Sequence, residues 1–240
     1  MKFTSAFVAM TTAFGLLFSA APSIAQQAED LPARVTDFAF TEAPDDHVLG
    51  SEDAAITLVV WASVTCPHCA SWFTNEWPIV QSELIDTGKL RFVFREFPTA
   101  PGNLAMAGFR LAECAPTADY MSIIEYQMEN QSAIFKAAQE GRGAEAYGEI
   151  AALAGMETNE AMTSCLRNPD ITAHIVDNSS RATLAGIKSV PAFLINGQHY
   201  KGDSDAKSLV ALINDMEEKG ISALPKDIKP ADALAGDDHN

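Results

Sequence analysis

Basic residues are scarce in this chain. Sixteen lysines and arginines stand against 32 aspartates and glutamates, for a formal net charge of −16 over 240 residues. That balance argues against a hold on nucleic-acid phosphates or on anionic membrane surfaces. Cysteine is also sparse, with four in all. Only one Cys-x-x-Cys is present, and neither remaining cysteine sits in a second such pair or in a cysteine–histidine pair with zinc spacing, so a zinc module is disfavoured. Ala70 follows the Cys-x-x-Cys where c-type haem attachment needs histidine, which excludes that chemistry. No internal repeat is visible, and beyond the N-terminus no apolar stretch is long enough to cross a bilayer.

The N-terminus reads as a targeting segment. Lys2 is the only charge before Glu29, and residues 7–21 are almost all apolar or small. Ser23-Ile24-Ala25 offers small residues at the usual cleavage positions, so the cut is expected after Ala25. A retained anchor is the rival reading, but the apolar run is short for a span and carries Gly15 and Pro22. Export would place the mature chain in an oxidising compartment.

What the chain does have is Cys66-Pro67-His68-Cys69. The motif follows a strand-like apolar run, residues 56–62, and opens an amphipathic stretch that reads as a helix. Cys66 then stands at a helix N-terminus, where free N–H groups and the macrodipole favour an anion. A thiolate there is the species that exchanges disulfides. Pro67 suits the first helical position because its missing N–H costs nothing. His68 can add a hydrogen bond or partial positive charge. Cys66 is accordingly expected to titrate near or under about 5. A redox motif is favoured over zinc binding or an inert structural disulfide.

Residues 26–46 are polar and read as a lead-in, with a short edge strand at 35–40. Residues 49–53 read as a turn. The motif helix should run over 66–85 with a kink at Pro78, carrying Trp72, Phe73, Trp77 and Val80 near one stripe. A second strand is expected over 90–97. Helices follow: a first around 105–112, then 120–138, 147–154, and 159–166 opened by Thr158 as N-cap. Asn168-Pro169-Asp170 should break the chain before a helix over 171–184. Strand signals return at 191–195 and 198–201 around Asn196-Gly197, a hairpin signature. A last helix is expected over 204–219. The order β-α-β, helical block, β-β-α describes an α/β thioredoxin fold interrupted by an α-helical insertion domain, with a mixed sheet. The divisions are residues 1–25 as signal peptide, 26–47 as lead-in, 48–101 as the first thioredoxin-like part, 102–185 as the insertion, 186–220 as the second part and 221–240 as a flexible tail.

Val48-Leu49-Gly50, Cys66-Pro67-His68-Cys69, Arg95-Glu96-Phe97-Pro98 and Val190-Pro191-Ala192-Phe193 together resemble the DsbA family of bacterial thiol:disulfide oxidoreductases. The resemblance spans about residues 45–220. Ser63-Val64-Thr65 lacks the aromatics some members carry before the motif. The resemblance implies catalysis by Cys66, the attacked and exposed sulfur, and Cys69, the buried one. It implies tuning by Pro67 and His68, and a substrate groove at Val190 and a cis Pro191, although a trans proline entering a strand is the simpler alternative. Cys114 and Cys165, left over in an exported chain, are expected to pair as a structural disulfide in the insertion, as in some relatives; two buried free thiols are the alternative.

The family implies a periplasmic dithiol oxidase acting on unfolded exported proteins, with no cofactor beyond its own cysteine pair and no metal. It also implies reoxidation by a DsbB-type, quinone-linked membrane partner. A monomer is expected because nothing resembles a dimerisation domain. A disulfide reductase or isomerase is one rival. A thiolate metal-binding or holdase module is the other. His47, His174, His199 and His239 show no ligand spacing and read as surface or satisfied core residues, and Asp45-Asp46 and Asp237-Asp238 as solvated faces.

Overall fold

The computed structural model describes residues 38–224. The signal segment 1–25, residues 35–37 of the expected edge strand at 35–40, the tail beyond 224, Asp237-Asp238 and His239 lie outside the described residues. Residues 38–40 form a turn, not a strand.

Five strands form one mixed sheet: β1 (His47–Leu49), β2 (Ile56–Ala62), β3 (Leu90–Glu96), β4 (Ala192–Ile195) and β5 (Gln198–Tyr200). Their spatial order is β1-β3-β2-β4-β5. β2 and β3 are parallel, with Ile56 opposite Leu90 and Ala62 opposite Glu96. β4 lies antiparallel to β2 on the other side, and β5 closes the hairpin. Asn196 and Gly197 make that turn with φ of 46° and 76°, the left-handed pair an Asn-Gly hairpin needs. β1 is the outer strand, antiparallel to β3. It falls where the sequence suggests the end of the lead-in, because three residues are too few to show an alternation.

The apolar run of β2 is unbroken because the sheet is covered on both faces. Side chains alternate across a strand. Leu58, Val60 and Ala62 share one core with Phe92, Phe94, Trp72, Phe73, Trp77 and Phe109. Val59, Trp61, Val93 and Leu194 pack on the opposite face against Ala182, Ala185 and Ile187.

The crossover from β2 to β3 starts with α1 (Pro67–Asn75) and continues through α2 (Trp77–Val80) and a π-helical turn, Gln81–Ile85. The break falls at Glu76, just before the expected kink at Pro78. The helical block then comprises α3 (Gly102–Glu113), α4 (Tyr120–Glu129), α5 (Gln131–Gln139), α6 (Gly143–Leu153), α7 (Asn159–Leu166) and α8 (Pro169–Leu184). The stretch 120–138, expected as one helix, is two, parted at Asn130. Thr158 caps α7 by accepting from the Ala161 N–H. Asn168 caps α8 and Pro169 is its first residue, so the proline opens this helix instead of breaking the chain before it. α9 (Ala206–Lys219) is capped by Asp205 and ends at Gly220 with φ of 61°.

Arg95 and Asp46 correct the reading of Asp45-Asp46 as a solvated face. Neither side chain of the Arg95–Asp46 pair has exposed surface. Arg95 donates to Asp46 Oδ1 and Oδ2 at 2.9 and 2.7 Å and to the Phe38 and Thr41 carbonyls. Its guanidinium also lies 5.0 Å from the Trp61 ring centroid. This buried, satisfied group ties the segment before β1 to the sheet.

Candidate active site

β2 ends at Ala62, and a tight turn in which the Cys66 N–H donates to the Ser63 carbonyl at 3.0 Å leads into α1. Cys66 is the N-cap residue, extended at φ −92° and ψ 119°, and Pro67 occupies the first turn of the helix. The Ala70 N–H closes that turn on the Cys66 carbonyl at 3.0 Å. The local sequence explains this: a buried strand, then a proline with no N–H to lose, then an apolar stripe.

Cys66 and Cys69 are free thiols. Cys69 is fully buried and its Sγ accepts from the Ser63 N–H at 3.5 Å. Cys66 keeps 8% of its surface, less than the exposed sulfur expected from the sequence, and its thiol meets the Val190 carbonyl at 3.5 Å. Pro67 and His68 are exposed. The Val190–Pro191 peptide bond is cis, as is Ala100–Pro101.

The Cys66 thiol is lowered from 9.0 to about 6. The leading cause is a hydrogen bond from the Cys69 side chain; burial opposes it, and the backbone N–H groups of Cys69 and His68 and the His68 charge add to it. The result lies above the value near 5 expected from helix terminus and His68, because burial disfavours the anion. The same hydrogen bond, followed by burial, raises Cys69 well above an ordinary thiol. One sulfur of the pair is therefore poised as thiolate and the other holds a proton.

The surroundings include residues sequence reasoning missed. Ser63, Thr65 and Thr99 form a hydroxyl network, with Ser63 Oγ to Thr65 Oγ1 at 3.0 Å and Thr65 Oγ1 to Thr99 Oγ1 at 2.8 Å. Gln131, from α5 of the insertion, donates to the Val64 and Cys66 carbonyls at 2.8 and 3.1 Å. Gln131 is buried. Ser63 and Thr65 were visible beside the motif, but Gln131 lies far along the chain and no local pattern marks it. The insertion thus holds the motif loop directly. Cys114, at the end of α3, and Cys165, in α7, are joined in a disulfide with Cα atoms 6.1 Å apart, within the insertion and bonded to neither active-site sulfur.

A second constellation lies at the C-terminal end of β3, the end that pairs with Ala62 just before the motif turn. Glu96, its last residue, meets Glu113 of α3, His47 of β1 and His174 of α8, with ligand-capable atoms all within 4.8 Å of one another. Burial and then the Glu96 charge push Glu113 up, so it stays protonated. Burial works against the Glu96 carboxylate too, but hydrogen bonds from Glu113 and Tyr120 and the nearby His174 outweigh it and hold Glu96 low. His199, by contrast, simply hydrogen-bonds the Ala185 carbonyl at 2.7 Å.

Similarity to known proteins agrees with this geometry. The thioredoxin family model matches residues 42–215. A Rickettsia prowazekii protein provisionally named a protein-disulfide oxidoreductase is 29% identical over 195 residues, covering 80% of this chain and 69% of its own. A like-named Rickettsia bellii protein is 27% identical, over 82% of this chain and 76% of its own. Among solved structures, α-DsbA1 of Wolbachia pipientis superposes with a TM-score of 0.66 at 25% identity, covering 74% of this chain and 94% of that one. BdbD of Bacillus subtilis superposes with a TM-score of 0.58 at 19% identity, over 72% and 93%. The family match runs through every strand of the sheet and through the helices inserted in it, so the chain belongs to the thioredoxin family, and it is similar within it to DsbA-type thiol:disulfide oxidoreductases.

Proposed function

We propose that the protein is a dithiol oxidase of exported proteins. The observation that carries this reading is the asymmetry of the two sulfurs: Cys66 lowered to about 6 at the start of α1, Cys69 buried and raised. In the oxidised form a substrate thiolate attacks Cys66 Sγ. The Cys66–Cys69 bond breaks, a mixed disulfide forms at Cys66, and Cys69 leaves and takes up a proton. A second substrate thiolate then attacks the substrate sulfur of that mixed disulfide. The substrate gains its disulfide and Cys66 leaves as the stabilised thiolate, so two electrons end on the Cys66–Cys69 pair.

A leaving group with a lowered pKa departs faster and makes the pair more oxidising. The Val190 carbonyl, beside Cys66 and just before β4, offers an extended substrate main-chain pairing at the attacked sulfur. Pro67 and His68, exposed at the same rim, border that groove. The chemistry needs no cofactor beyond the cysteine pair. A periplasmic setting, cleavage after Ala25, a DsbB-type quinone-linked partner that reoxidises the pair, and a monomeric enzyme complete the proposal.

The test is the trapped intermediate. Oxidation of a reduced two-cysteine peptide should proceed with the wild-type disulfide form. Cys69→Ser should accumulate a mixed disulfide at Cys66 with a substrate, and Cys66→Ser should not. Equal trapping by both variants, or peptide oxidation by Cys66→Ser, would refute the assignment of Cys66 as the attacked sulfur.

A further inference from the structure

We propose that His47, Glu96, Glu113 and His174 form a binding site for one divalent first-row transition-metal ion of the zinc class, which clamps the helical insertion to the sheet. The four residues come from four elements: His47 from β1, Glu96 from the end of β3, Glu113 from the end of α3 and His174 from α8. Their atoms converge on one point. His47 Nε2 lies 2.9 Å from Glu113 Oε1, His174 Nε2 lies 3.5 Å from the same oxygen, and His174 Nε2 lies 3.8 Å from Glu96 Oε2. Bonds of about 2.1 Å to a tetrahedral ion put neighbouring ligand atoms about 3.4 Å apart. The observed separations bracket that edge, so small side-chain adjustments would seat an ion.

The supporting contacts are those a metal site needs. Metal-binding histidines commonly donate their other ring N–H to a carboxylate, which fixes ring and tautomer. His174 Nδ1 lies 3.3 Å from Asp45 Oδ2, and Asp45 is held by Arg181 at 2.8 Å. That contact puts the lone pair of His174 Nε2 on the side of the two glutamates, where the Asn178 side-chain amide donates to it at 3.2 Å, a hydrogen bond that an ion would replace. His47 is fixed differently: its ring stacks on Tyr120, with centroids 3.4 Å apart and planes 3° apart. The Glu96 carboxylate is oriented by the Tyr120 hydroxyl at 2.6 Å and by the Asn178 side-chain amide.

Ligand chemistry selects the ion class. Two imidazoles with two carboxylates suit zinc and its first-row neighbours, whereas calcium and magnesium prefer all-oxygen shells. Four protein ligands, with Glu113 giving up its proton to solvent as the ion enters, make a closed shell, the mark of a structural ion. The side chains of His47, Glu113 and His174 keep 17, 11 and 14% exposure, so an ion can enter from solvent. Among the described residues none of the four hydrogen-bonds Cys66 or Cys69, so the ion would act first on stability.

The experiment uses the oxidised full-length mature protein, so that the active-site thiolates cannot bind metal. Cobalt(II) serves as spectroscopic probe and zinc as competitor, with calorimetry for stoichiometry. The expected result is one equivalent of cobalt with the intense visible bands of a tetrahedral ion, displaced by one equivalent of zinc and not by calcium. His47→Ala and His174→Ala should each weaken binding at least about 100-fold. Asp45→Asn, at a partly exposed side chain that need not disturb folding, should weaken it about 10-fold or more by releasing the His174 ring. Circular dichroism checks that each variant is folded; if a histidine variant is not, Asp45→Asn decides. Absence of one-equivalent binding by the wild type, tighter binding of calcium than of zinc, or binding unchanged in the folded variants would each overturn the proposal.

Discussion

Reduced protein should gain stability over a defined pH window because of one group, Cys66. Its thiol is lowered from 9.0 to about 6 in the folded chain. A group with a depressed folded pKa contributes stability above its unfolded value and loses it as pH falls through the folded value. The window here runs from about 9 down to about 6. Each unit is worth about 1.36 kcal/mol, so the ceiling is about 4 kcal/mol above pH 9, falling to about 1.4 at pH 7 and to nearly nothing at pH 5. Cys66 touches solvent at its rim, and screening reduces the expected effect at pH 7 to about 1 kcal/mol. The assay is urea unfolding of reduced wild type against reduced Cys66→Ser at pH 5, 7 and 8, so that other titrating groups cancel in the difference. Thiolate absorbance on the reduced protein gives the midpoint directly. A difference that grows by about 1 kcal/mol from pH 5 to 7, with a midpoint near 6, is expected. A flat difference, or a midpoint above about 7.5, would refute the reasoning.

Three further outcomes follow from packing and charge. Replacing both Cys114 and Cys165 by Ser opens a cross-link of sequence separation 51, which should cost about 4 kcal/mol in the chain-entropy account; the urea midpoint should fall while peptide oxidation stays near wild type, and lost activity without lost stability would assign the pair to electron transfer. Asp46→Ala strands the buried Arg95 charge and should cost about 3–5 kcal/mol in chemical denaturation, with a loss below about 1 kcal/mol contradicting the buried ion pair. Gly50 has φ of 94° and an added Cβ would lie 2.4 Å from the Leu90 carbonyl oxygen, so Gly50→Ala should lower the melting temperature by at least the equivalent of about 1–3 kcal/mol.

Much of the fold was legible because its signals are local. The buried run of β2, the Asn196-Gly197 turn and the Thr158 cap are each written in a few neighbouring residues. Cys66-Pro67-His68-Cys69 is legible for the same reason: strand, proline and apolar stripe adjoin it. β1 was not, because a three-residue edge strand carries no period and is specified by pairing with β3. The break at Asn130 hides within a continuing apolar stripe. The ordering of causes at Cys66 was also hidden. The sequence points to helix terminus and His68, while the leading cause is the hydrogen bond from the second cysteine of the motif itself. Gln131 and the His47, Glu96, Glu113 and His174 constellation depend on the insertion folding back over the sheet, which no spacing along the chain encodes.

The equilibrium of the Cys66–Cys69 pair with glutathione buffers at pH 7 tests the central claim most directly. A thioredoxin whose thiol titrates near 7 sits at about −270 mV, and a thiolate one unit lower adds about 30 mV of oxidising power. The account predicts a potential of about −240 mV or higher, with the disulfide form transferring its bond to a reduced peptide. A value at or below about −270 mV would mark the protein as a reductant and contradict the proposed direction of exchange.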